Sequence, residues 1–275
     1  WTANSETNIA KYSVYKSTTS GFTPAASDKV GDTESGSIVT YTVTGLTNLT
    51  PYYFRVKAVN TSDQAGEYSS QVTATPEYHG PDWYVAVAAS GGSASNEGSI
   101  NSPMLNLTDA VSAAHTGHTI HIAAGTYTFT SASEGNITFD GSKTLVIKGA
   151  GAATTIIDAN LKHRHFYFSA NSNGTLLDTT FKIMDLTLKN GRPQTNDHGG
   201  SIYMYGYWDS NLNRNQGHSP LFQNVVFQSN QPKFNSNDYN RGGGAIYAYR
   251  STPSFRDVEF KYNTAPQNGG AIRIN

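Results

Sequence analysis

The chain has 275 residues and a formal net charge of −1, with basic residues scattered along it, so its charge predicts no nucleic-acid partner. It has no cysteine, which excludes disulfides and thiolate metal sites, and no apolar run long enough to span a bilayer. Charged residues make up only 14% of the sequence, while there are 26 Gly and 17 Tyr, a balance that favours short strands and turns over helices.

Residues 1–77 carry the pattern of half-buried strands. The stretches "AKYSVYKST", "VTYTVTGL" and "PYYFRVKAVN" alternate apolar and polar positions. The stretch "TGLTNLTPYYFRVKAVN", with Trp1 before it and "SSQVTATPE" after it, resembles a fibronectin type III domain. The resemblance implies a β-sandwich without its first strand and a tyrosine corner at Tyr52, six residues after Leu46. Such modules are spacers or adhesive units, so we expect no chemistry from this segment.

A second domain follows the turn-forming stretch "PEYHGPD", and we place it at residues 82–275. Its first predicted element is one short amphipathic helix in "PMLNLTDAVSAAHTG", ended by Gly117. One face of this helix carries Leu107, Ala110, Val111 and Ala114. We expect the helix to cap the N-terminal end of the domain.

The rest of the second domain predicts a parallel β-helix. Short apolar runs separated by Gly, Asn and Asp turns recur without helical crossovers, as in "HTIHIAAGTYTF", "KTLVIKGAG", "TTIIDAN" and "HFYFSA". Three copies of one motif align without gaps: "GGSIYMY" from Gly199, "GGAIYAY" from Gly243 and "GGAIRIN" from Gly269. Alternation predicts two inward ladders and one outward ladder, formed by Ile202, Ile246 and Ile272, by Met204, Ala248 and Ile274, and by Tyr203, Tyr247 and Arg273.

A second motif repeats between the glycine pairs. "SPLFQNVVFQSN" matches "TPSFRDVEFKYN", and "IMDLTLKN" from Ile183 is a looser earlier copy. The predicted stacked pairs are Phe222 on Phe255, Val225 on Val258, Phe227 on Phe260 and Asn230 on Asn263. We expect each glycine pair to allow a sharp turn and each Asn to bind the same turn in successive coils.

These repeats resemble known families. "GGAI" with "F..N" resembles the polymorphic outer-membrane protein repeats of bacterial surface proteins, and the stretch from "WYVAVAASGGSASNEGS" to "GTYTF" resembles the opening segment of secreted right-handed β-helix proteins, a group that contains polysaccharide lyases. The resemblance implies a secreted or surface-displayed bacterial protein. The fold that we predict is all-β: a truncated fibronectin type III sandwich followed by a right-handed, pectin-lyase-like parallel β-helix. We interpret the chain as a fragment.

An enzymatic interpretation needs acid and base groups. The best candidates lie in the inserted loops "NDHGGS" and "YWDSNLNRNQGHSP", where a hydrolase would use Asp197 and Asp209 as its carboxylate pair; the candidate catalytic residues are Asp197, His198, Asp209, Arg214 and His218. A solvated polar loop is the competing interpretation. A lyase would also use Ca²⁺ held by Asp or Asn oxygens, and otherwise no metal or cofactor is predicted. His163, Arg164 and His165 are interpreted as a polar outer face or turn.

Outward aromatic residues suggest a ligand-binding strip. Tyr rings and one Trp on adjacent coils would be exposed, and sugar rings stack well on such side chains; the residues are Tyr203, Tyr205, Tyr247, Tyr249 and Trp208, with Tyr207 nearby. Stacking that only stabilises the solenoid is the alternative. The sequence favours adhesion or surface scaffolding through carbohydrate contact. The alternative function is that of a polysaccharide lyase or glycoside hydrolase.

Overall fold

The structure, a computed structural model, describes residues 1–170, 174–195, 197–234 and 242–275. The chain divides into two units, Trp1–Tyr78 and His79–Asn275.

The first unit contains one antiparallel sheet. Its strand order is β2-β1-β3-β4, with Val14 of β1 paired to Val56 of β3 and a register shift after Val14 on the β2 side. A 3-10 turn at Ala26–Asp28 precedes β2. The strands are β1 at Ile9–Ser17, β2 at Lys29–Asp32, β3 at Tyr52–Asn60 and β4 at Val72–Ala74.

One predicted strand of this unit does not form. The stretch "VTYTVTGL" alternates half-buried and exposed residues as expected, but it is not a strand, because no described neighbour pairs with its backbone. The Tyr52 side chain is buried and its hydroxyl accepts a hydrogen bond from the Thr47 N–H at 3.0 Å, as a tyrosine corner requires. Because the described residues of the first unit form a single sheet and not a sandwich of two, the fibronectin type III assignment stays a prediction.

The second unit is a parallel β-helix. One sheet has the strand order β18-β16-β12-β9-β6-β5, with β10 beside β12 and β7 and with β19 beside β16, and the other has the order β20-β17-β13-β11-β8. Every pairing in these two sheets is parallel, so each coil stacks on the coil before it. The strands are β5 at Asp82–Val85, β6 at Thr119–Ile122, β7 at Gly125–Thr128, β8 at Ile137–Phe139, β9 at Val146–Gly149, β10 at Thr155–Asp158, β11 at Phe166–Ser169, β12 at Lys182–Lys189, β13 at Ile202–Tyr205, β16 at Leu221–Gln228, β17 at Ile246–Tyr249, β18 at Ser254–Arg256, β19 at Glu259–Lys261 and β20 at Ile272–Ile274.

Short helical elements and one hairpin complete the second unit. Helix α1 spans Leu107–Ala113 and packs against β5 and β6, while 3-10 turns lie at Ala88–Ser90 and Ala132–Glu134. The antiparallel hairpin consists of β14 at Tyr207–Asp209 and β15 at Arg214–Gln216.

The end of α1 differs from its prediction. Gly117 is left-handed (φ 86°) but lies in the following turn, and the helix ends at Ala113 with Ala114 already extended. The ammonium group of Lys143 donates hydrogen bonds to the carbonyl oxygens of Val111, Ser112 and Ala114 at 2.8, 3.2 and 2.9 Å. A cation therefore satisfies the last carbonyl groups of this helix in place of a glycine motif. The capping role of α1 stays a prediction.

The predicted ladders of the glycine motif are confirmed. Ile202 pairs with Ile246 and Ile246 with Ile272, and the register continues through the outward and second inward ladders. The ladder side chains of β13 and β17 that point inward are fully buried. The first glycine of each pair is left-handed, with φ between 63° and 71°, and a Cβ atom at Gly244 would lie 1.8 Å from the Gly270 carbonyl oxygen.

The second motif forms an asparagine ladder. The Oδ1 atom of Asn230 accepts the Gly191 N–H at 2.7 Å, and its Nδ2 atom donates to Leu188 O at 3.0 Å and to Asn263 Oδ1 at 2.9 Å. The aromatic pairs stack as predicted, with centroid distances of 5.8 Å for Phe222 and Phe255 and 5.1 Å for Phe227 and Phe260. The earlier copy of this motif, "IMDLTLKN" in β12, has no Asn at the matching position. Lys189 of β12 pairs with Gln228 of β16, which brings Gly191 level with Asn230, so the asparagine ladder begins at Asn230.

Candidate functional site

An aromatic ladder runs along the outer surface of the second sheet. Tyr167, Tyr203 and Tyr247 lie in register on β11, β13 and β17, with ring centroids 5.5 and 5.2 Å apart. The place of Tyr167 in this ladder was not predicted from the sequence. Its signal was present, because "HFYFSA" has the same alternation as "SIYMYG".

The rings of Tyr203 and Tyr247 are covered, so the predicted exposed strip is wrong at these two positions. Tyr203 is half-buried and Tyr247 is 5% exposed. The His198 ring stacks on Tyr247 at 4.0 Å, and the Arg164 guanidinium lies 5.1 Å from the Tyr203 ring centre. The loop that carries His198 thus folds over the ladder, held there by the hydrogen bond from Gly242 N–H to His198 Nδ1 at 3.1 Å.

Beside this ladder lies a buried ion pair. Arg164 donates to Asp197 Oδ2 at 2.5 Å, and the Arg164 side chain is only 4% exposed while that of Asp197 is 28% exposed. The other Asp197 oxygen accepts the His198 N–H at 2.8 Å. Among the described residues, Nε and Nη1 of Arg164 have no hydrogen-bond partner. Arg164 was expected on a polar outer face; it is buried because its planar group packs between a carboxylate and an aromatic ring.

Of the two histidines that flank Arg164, His165 differs from its prediction, whereas His163 lies in a bend, as predicted. His165 is fully buried, with Nε2 bonded to the Ile157 carbonyl at 3.0 Å and Nδ1 to the Ser201 hydroxyl at 2.9 Å. Burial lowers the pKa of His165 to about 4, so it is a neutral core residue. His163 is half-buried, and burial together with the neighbouring Arg164 charge lowers its pKa as well.

The groups of this cluster are better suited to binding than to proton transfer. Nδ1 of His163 accepts the Arg164 N–H, and Nδ1 of His198 also accepts a backbone N–H, so in their neutral forms both rings carry the proton on Nε2. Burial and the Asp197 charge raise the pKa of Tyr203, so its hydroxyl stays protonated at neutral pH. Both oxygens of Asp197 already accept a hydrogen bond, so a substrate proton would have to compete with Arg164 or with the His198 N–H for this carboxylate.

Two further catalytic candidates lie in the β14–β15 hairpin and have partners of their own. Asp209 and Arg214 face each other across the hairpin, where Asp209 Oδ1 accepts the N–H groups of Asn211 and Leu212 at 2.9 and 3.1 Å and so shapes the turn. The carboxylates of Asp197 and Asp209 thus have separate partners, and no hydrolase pair is shown.

His218 lies in the loop between β15 and β16, as predicted, but its side chain does not reach the solvent as a site residue would. The side chain is fully buried, and Nδ1 accepts the Leu177 N–H at 2.9 Å. Its ring packs near Phe168, and burial lowers its pKa. The hairpin has already ended at Gln216, and the chain passes back under the surface at His218. The His218 side chain therefore packs in the core and fixes the backbone at Leu177.

Three aromatic side chains remain accessible, and we name Tyr205, Trp208 and Tyr249 the aromatic patch. Tyr205 is 41% and Trp208 is 48% exposed, while Tyr249 is half-buried. The rings of Tyr205 and Tyr249 stack across neighbouring coils at 5.6 Å and 21°, and the Arg250 guanidinium lies 4.8 Å from the centre of the Tyr249 ring. The hairpin that carries Trp208 starts beside Tyr249, whose carbonyl accepts the Gly206 N–H at 2.7 Å.

Within the described ranges, no three His, Asp or Glu side chains converge as metal ligands would. No helix in the described part of the chain has the length and apolar character needed to cross a membrane.

Known proteins offer little likeness in sequence. No protein-family model matches the chain, and no curated protein matches it. Among solved structures, a Family 28 exopolygalacturonase from Yersinia enterocolitica matches with a TM-score of 0.25 and 13% identity, over 94% of this chain and 56% of the enzyme. The pectate lyase Pel3 from Pectobacterium carotovorum matches with a TM-score of 0.22 and 12% identity, over 92% and 86%.

This chain therefore spans little more than half the length of the exopolygalacturonase. The resemblances to fibronectin type III domains and to polymorphic outer-membrane protein repeats stay predictions. Because both TM-scores lie well below 0.5, function has to be argued from the residues of this chain.

Proposed function

We propose that the β-helix binds a polysaccharide on its outer surface at the aromatic patch. The observation that carries this proposal is the stacked pair of the exposed Tyr205 and the half-buried Tyr249, on strands whose backbones are fixed by the coils on either side, with the exposed Trp208 in the hairpin that follows Tyr205. An exposed aromatic ring presents an apolar face and a polar rim, a combination that suits the alternating C–H and O–H surface of a sugar. Rigid strands hold such rings ready for the ligand, so little ordering entropy opposes binding.

The experiment compares the aromatic patch with an aromatic residue elsewhere. Tyr205→Ala and Trp208→Ala are each expected to weaken retention of the protein on immobilised polysaccharides about tenfold, since each removes one stacking face. Tyr262→Ala is the matched control, because Tyr262 is 80% exposed and lies at the end of β19, in the other sheet. Equal retention of both patch variants and the parent protein on every polysaccharide tested would contradict the proposal.

A polysaccharide lyase or hydrolase is the second candidate function. The observation that favours it is the convergence of Arg164, Asp197 and His198 beside the aromatic ladder, since opening of the buried ion pair would free the guanidinium to neutralise an acidic sugar and Asp197 to act on it. Ca²⁺ would belong to a lyase mechanism and stays part of this candidate alone.

This candidate is tested by incubating the protein with polyuronates, with and without Ca²⁺. Unsaturated, ultraviolet-absorbing products or new reducing ends would establish the enzyme, and their loss in Asp197→Asn, under conditions where amide protection shows the variant folded, would assign the reaction to Asp197. Given that both Asp197 oxygens are engaged, we expect neither product. We also propose adhesion and a location outside the cell or on a bacterial surface, and both rest on the family resemblance alone. Polysaccharide binding is the part of this interpretation that the aromatic patch supports.

A further inference from the structure

A basic pocket lies beside the ion pair of Arg164 and Asp197. It has a volume of about 230 Å³, and its wall contains three cations and no carboxylate; its lining residues are Leu161, Lys162, Arg192, Pro193, Gln194 and Lys233. Three separate stretches of the chain contribute these residues, so the cations meet through folding and not through a run of basic sequence.

Hydrogen bonds hold the walls of this basic pocket together. The Arg192 N–H donates to the His163 carbonyl at 3.1 Å, and the Asp197 N–H donates to the Lys233 carbonyl at 2.8 Å. The Lys233 ammonium group donates to the Gln194 carbonyl, across the pocket wall. The loop that places Asp197 against Arg164 therefore also brings the backbone of Lys233 to the pocket wall, and the bond to the Gln194 carbonyl fixes the Lys233 ammonium group there before any ligand arrives.

The positive charge of this basic pocket has no counter-charge in the part of the chain that the structure describes. Within the described ranges, Lys162, Arg192 and Lys233 form no ion pair, and the nearby carboxylate of Asp197 is engaged by Arg164. The Nε atom of Arg192 is buried and has no hydrogen-bond partner among the described residues. A buried donor without a partner is costly, and three like charges lining one pocket repel each other, so an anion bound here would relieve both costs.

We propose that the basic pocket binds a tetrahedral oxyanion, namely a sulfate or phosphate ester group carried by the polysaccharide. The guanidinium supplies a fork of donors and each ammonium supplies a point charge, so three cations can address three oxygen atoms of one group. A sulfate or phosphate ester group presents three terminal oxygen atoms in a tetrahedral arrangement, one for each cation, whereas a carboxylate presents two oxygen atoms in one plane. This inference rests on the proposed function, because it names the charged groups of the polymer whose sugar rings contact the aromatic patch.

The test uses one polymer in four chemical forms: dextran, carboxymethyl dextran, dextran sulfate and dextran phosphate of similar length and charge density. We expect dextran sulfate or dextran phosphate to bind at least tenfold more tightly than carboxymethyl dextran, and the stronger of the two identifies the natural ester. Arg192→Gln and Lys162→Gln should each abolish this preference and make binding less dependent on salt. Lys148→Gln is the matched control, since Lys148 is an exposed lysine on β9.

The outcomes separate this inference from the proposed function. If Arg192→Gln and Lys162→Gln bind dextran sulfate as the parent protein does, the basic pocket is not the oxyanion site, even when Tyr205→Ala still weakens retention. Equal affinity for the carboxymethyl and sulfated polymers would also overturn the inference. Lys162 is exposed, so its variant tests the pocket without risk to the fold should Arg192→Gln fail to fold.

Discussion

The buried ion pair provides the sharpest test of how the loop over the aromatic ladder is held. Replacing Asp197 with Asn keeps the shape of the side chain and removes its charge. The guanidinium of Arg164, only 4% exposed, would then be buried with no opposite charge beside it, and two of its nitrogen atoms already lack partners among the described residues. We expect Asp197→Asn to destabilise the β-helix.

The size of this effect follows from the burial of both partners. Removing one partner of a buried ion pair costs about 3 to 5 kcal/mol. Asp197 is 28% exposed, so water already screens the pair in part, and the face of Tyr203 still stabilises the guanidinium. We therefore expect the lower end, about 3 kcal/mol, which is roughly a hundredfold change in the ratio of folded to unfolded protein.

Hydrogen exchange in increasing urea measures this change at the right place. The chain has two units, so a single global unfolding curve is ambiguous, whereas the amide groups of β11 and β13 report on the coils that flank Arg164. Glu259→Gln is the matched control, because Glu259 pairs with Lys261 while both side chains are more than half exposed. We expect this control to change stability by less than about 1 kcal/mol.

A double variant completes the test. Arg164→Met with Asp197→Leu removes both charges and leaves apolar groups of similar size, so it should recover most of the stability lost in Asp197→Asn. The reasoning is refuted if Asp197→Asn and Glu259→Gln have the same small effect, since the guanidinium would then not depend on its carboxylate.

Three further perturbations address the coils. Ile246→Asp places a carboxylate in a fully buried ladder and should unfold the C-terminal coils, as seen by loss of amide protection. Asn230→Ala should cost about 3 kcal/mol in urea unfolding, because it removes three hydrogen bonds and leaves the Gly191 N–H unsatisfied. Burial lowers the pKa of His165 to about 4, so the unfolded chain binds the proton more readily, and stability should rise by roughly 3 kcal/mol between pH 4 and 6.5 and then level off.

Each of these perturbations has a control in the same unit. Ile274→Asp alters the exposed end of the same kind of ladder, and Asn215→Ala alters an exposed Asn of β15, so both should be nearly neutral. His165→Gln should flatten the pH dependence while His115→Gln, at an exposed site, keeps it. A protected C-terminal coil in Ile246→Asp, a neutral Asn230→Ala, or a stability that falls from pH 4 to 6.5 would each contradict the corresponding argument.

The parallel β-helix and its inward ladders could be predicted from sequence because they depend on a strict pattern. A glycine pair followed by alternating residues fixes both the turn and the side of the sheet on which each side chain lies, so Ile202 and Ile246 were assigned correctly. The alternating pattern of "VTYTVTGL" also predicted a strand, and this strand does not form. Alternation describes one strand, but a strand also needs a neighbour to bind its backbone, and no pattern within a segment reveals whether that neighbour exists.

The errors in the candidate site have a different cause. Alternation holds along a strand but not around a corner, so Arg164 and His165, which precede β11, are both buried although they are adjacent. The side chains that cover the aromatic ladder come from loops, whose residues follow no periodic pattern. The stacking of the His198 ring on Tyr247 therefore could not be predicted from the sequence. The basic pocket was missed for the same reason, because its three cations are distant along the chain and are brought together by loop hydrogen bonds.

The β14–β15 hairpin leaves and rejoins its coil at almost one point. Gly206 and Gly217 flank it, and a Cβ atom at either would lie within 2.5 Å of the Arg250 carbonyl oxygen. Since the coil closes beneath the hairpin, the number of residues between these glycines has no influence on how the coils stack. Related chains are therefore free to lengthen, shorten or exchange this segment without disturbing the solenoid, and Trp208 lies in the part most open to such change. Ligand preference can diverge quickly there while the supporting coils stay constant.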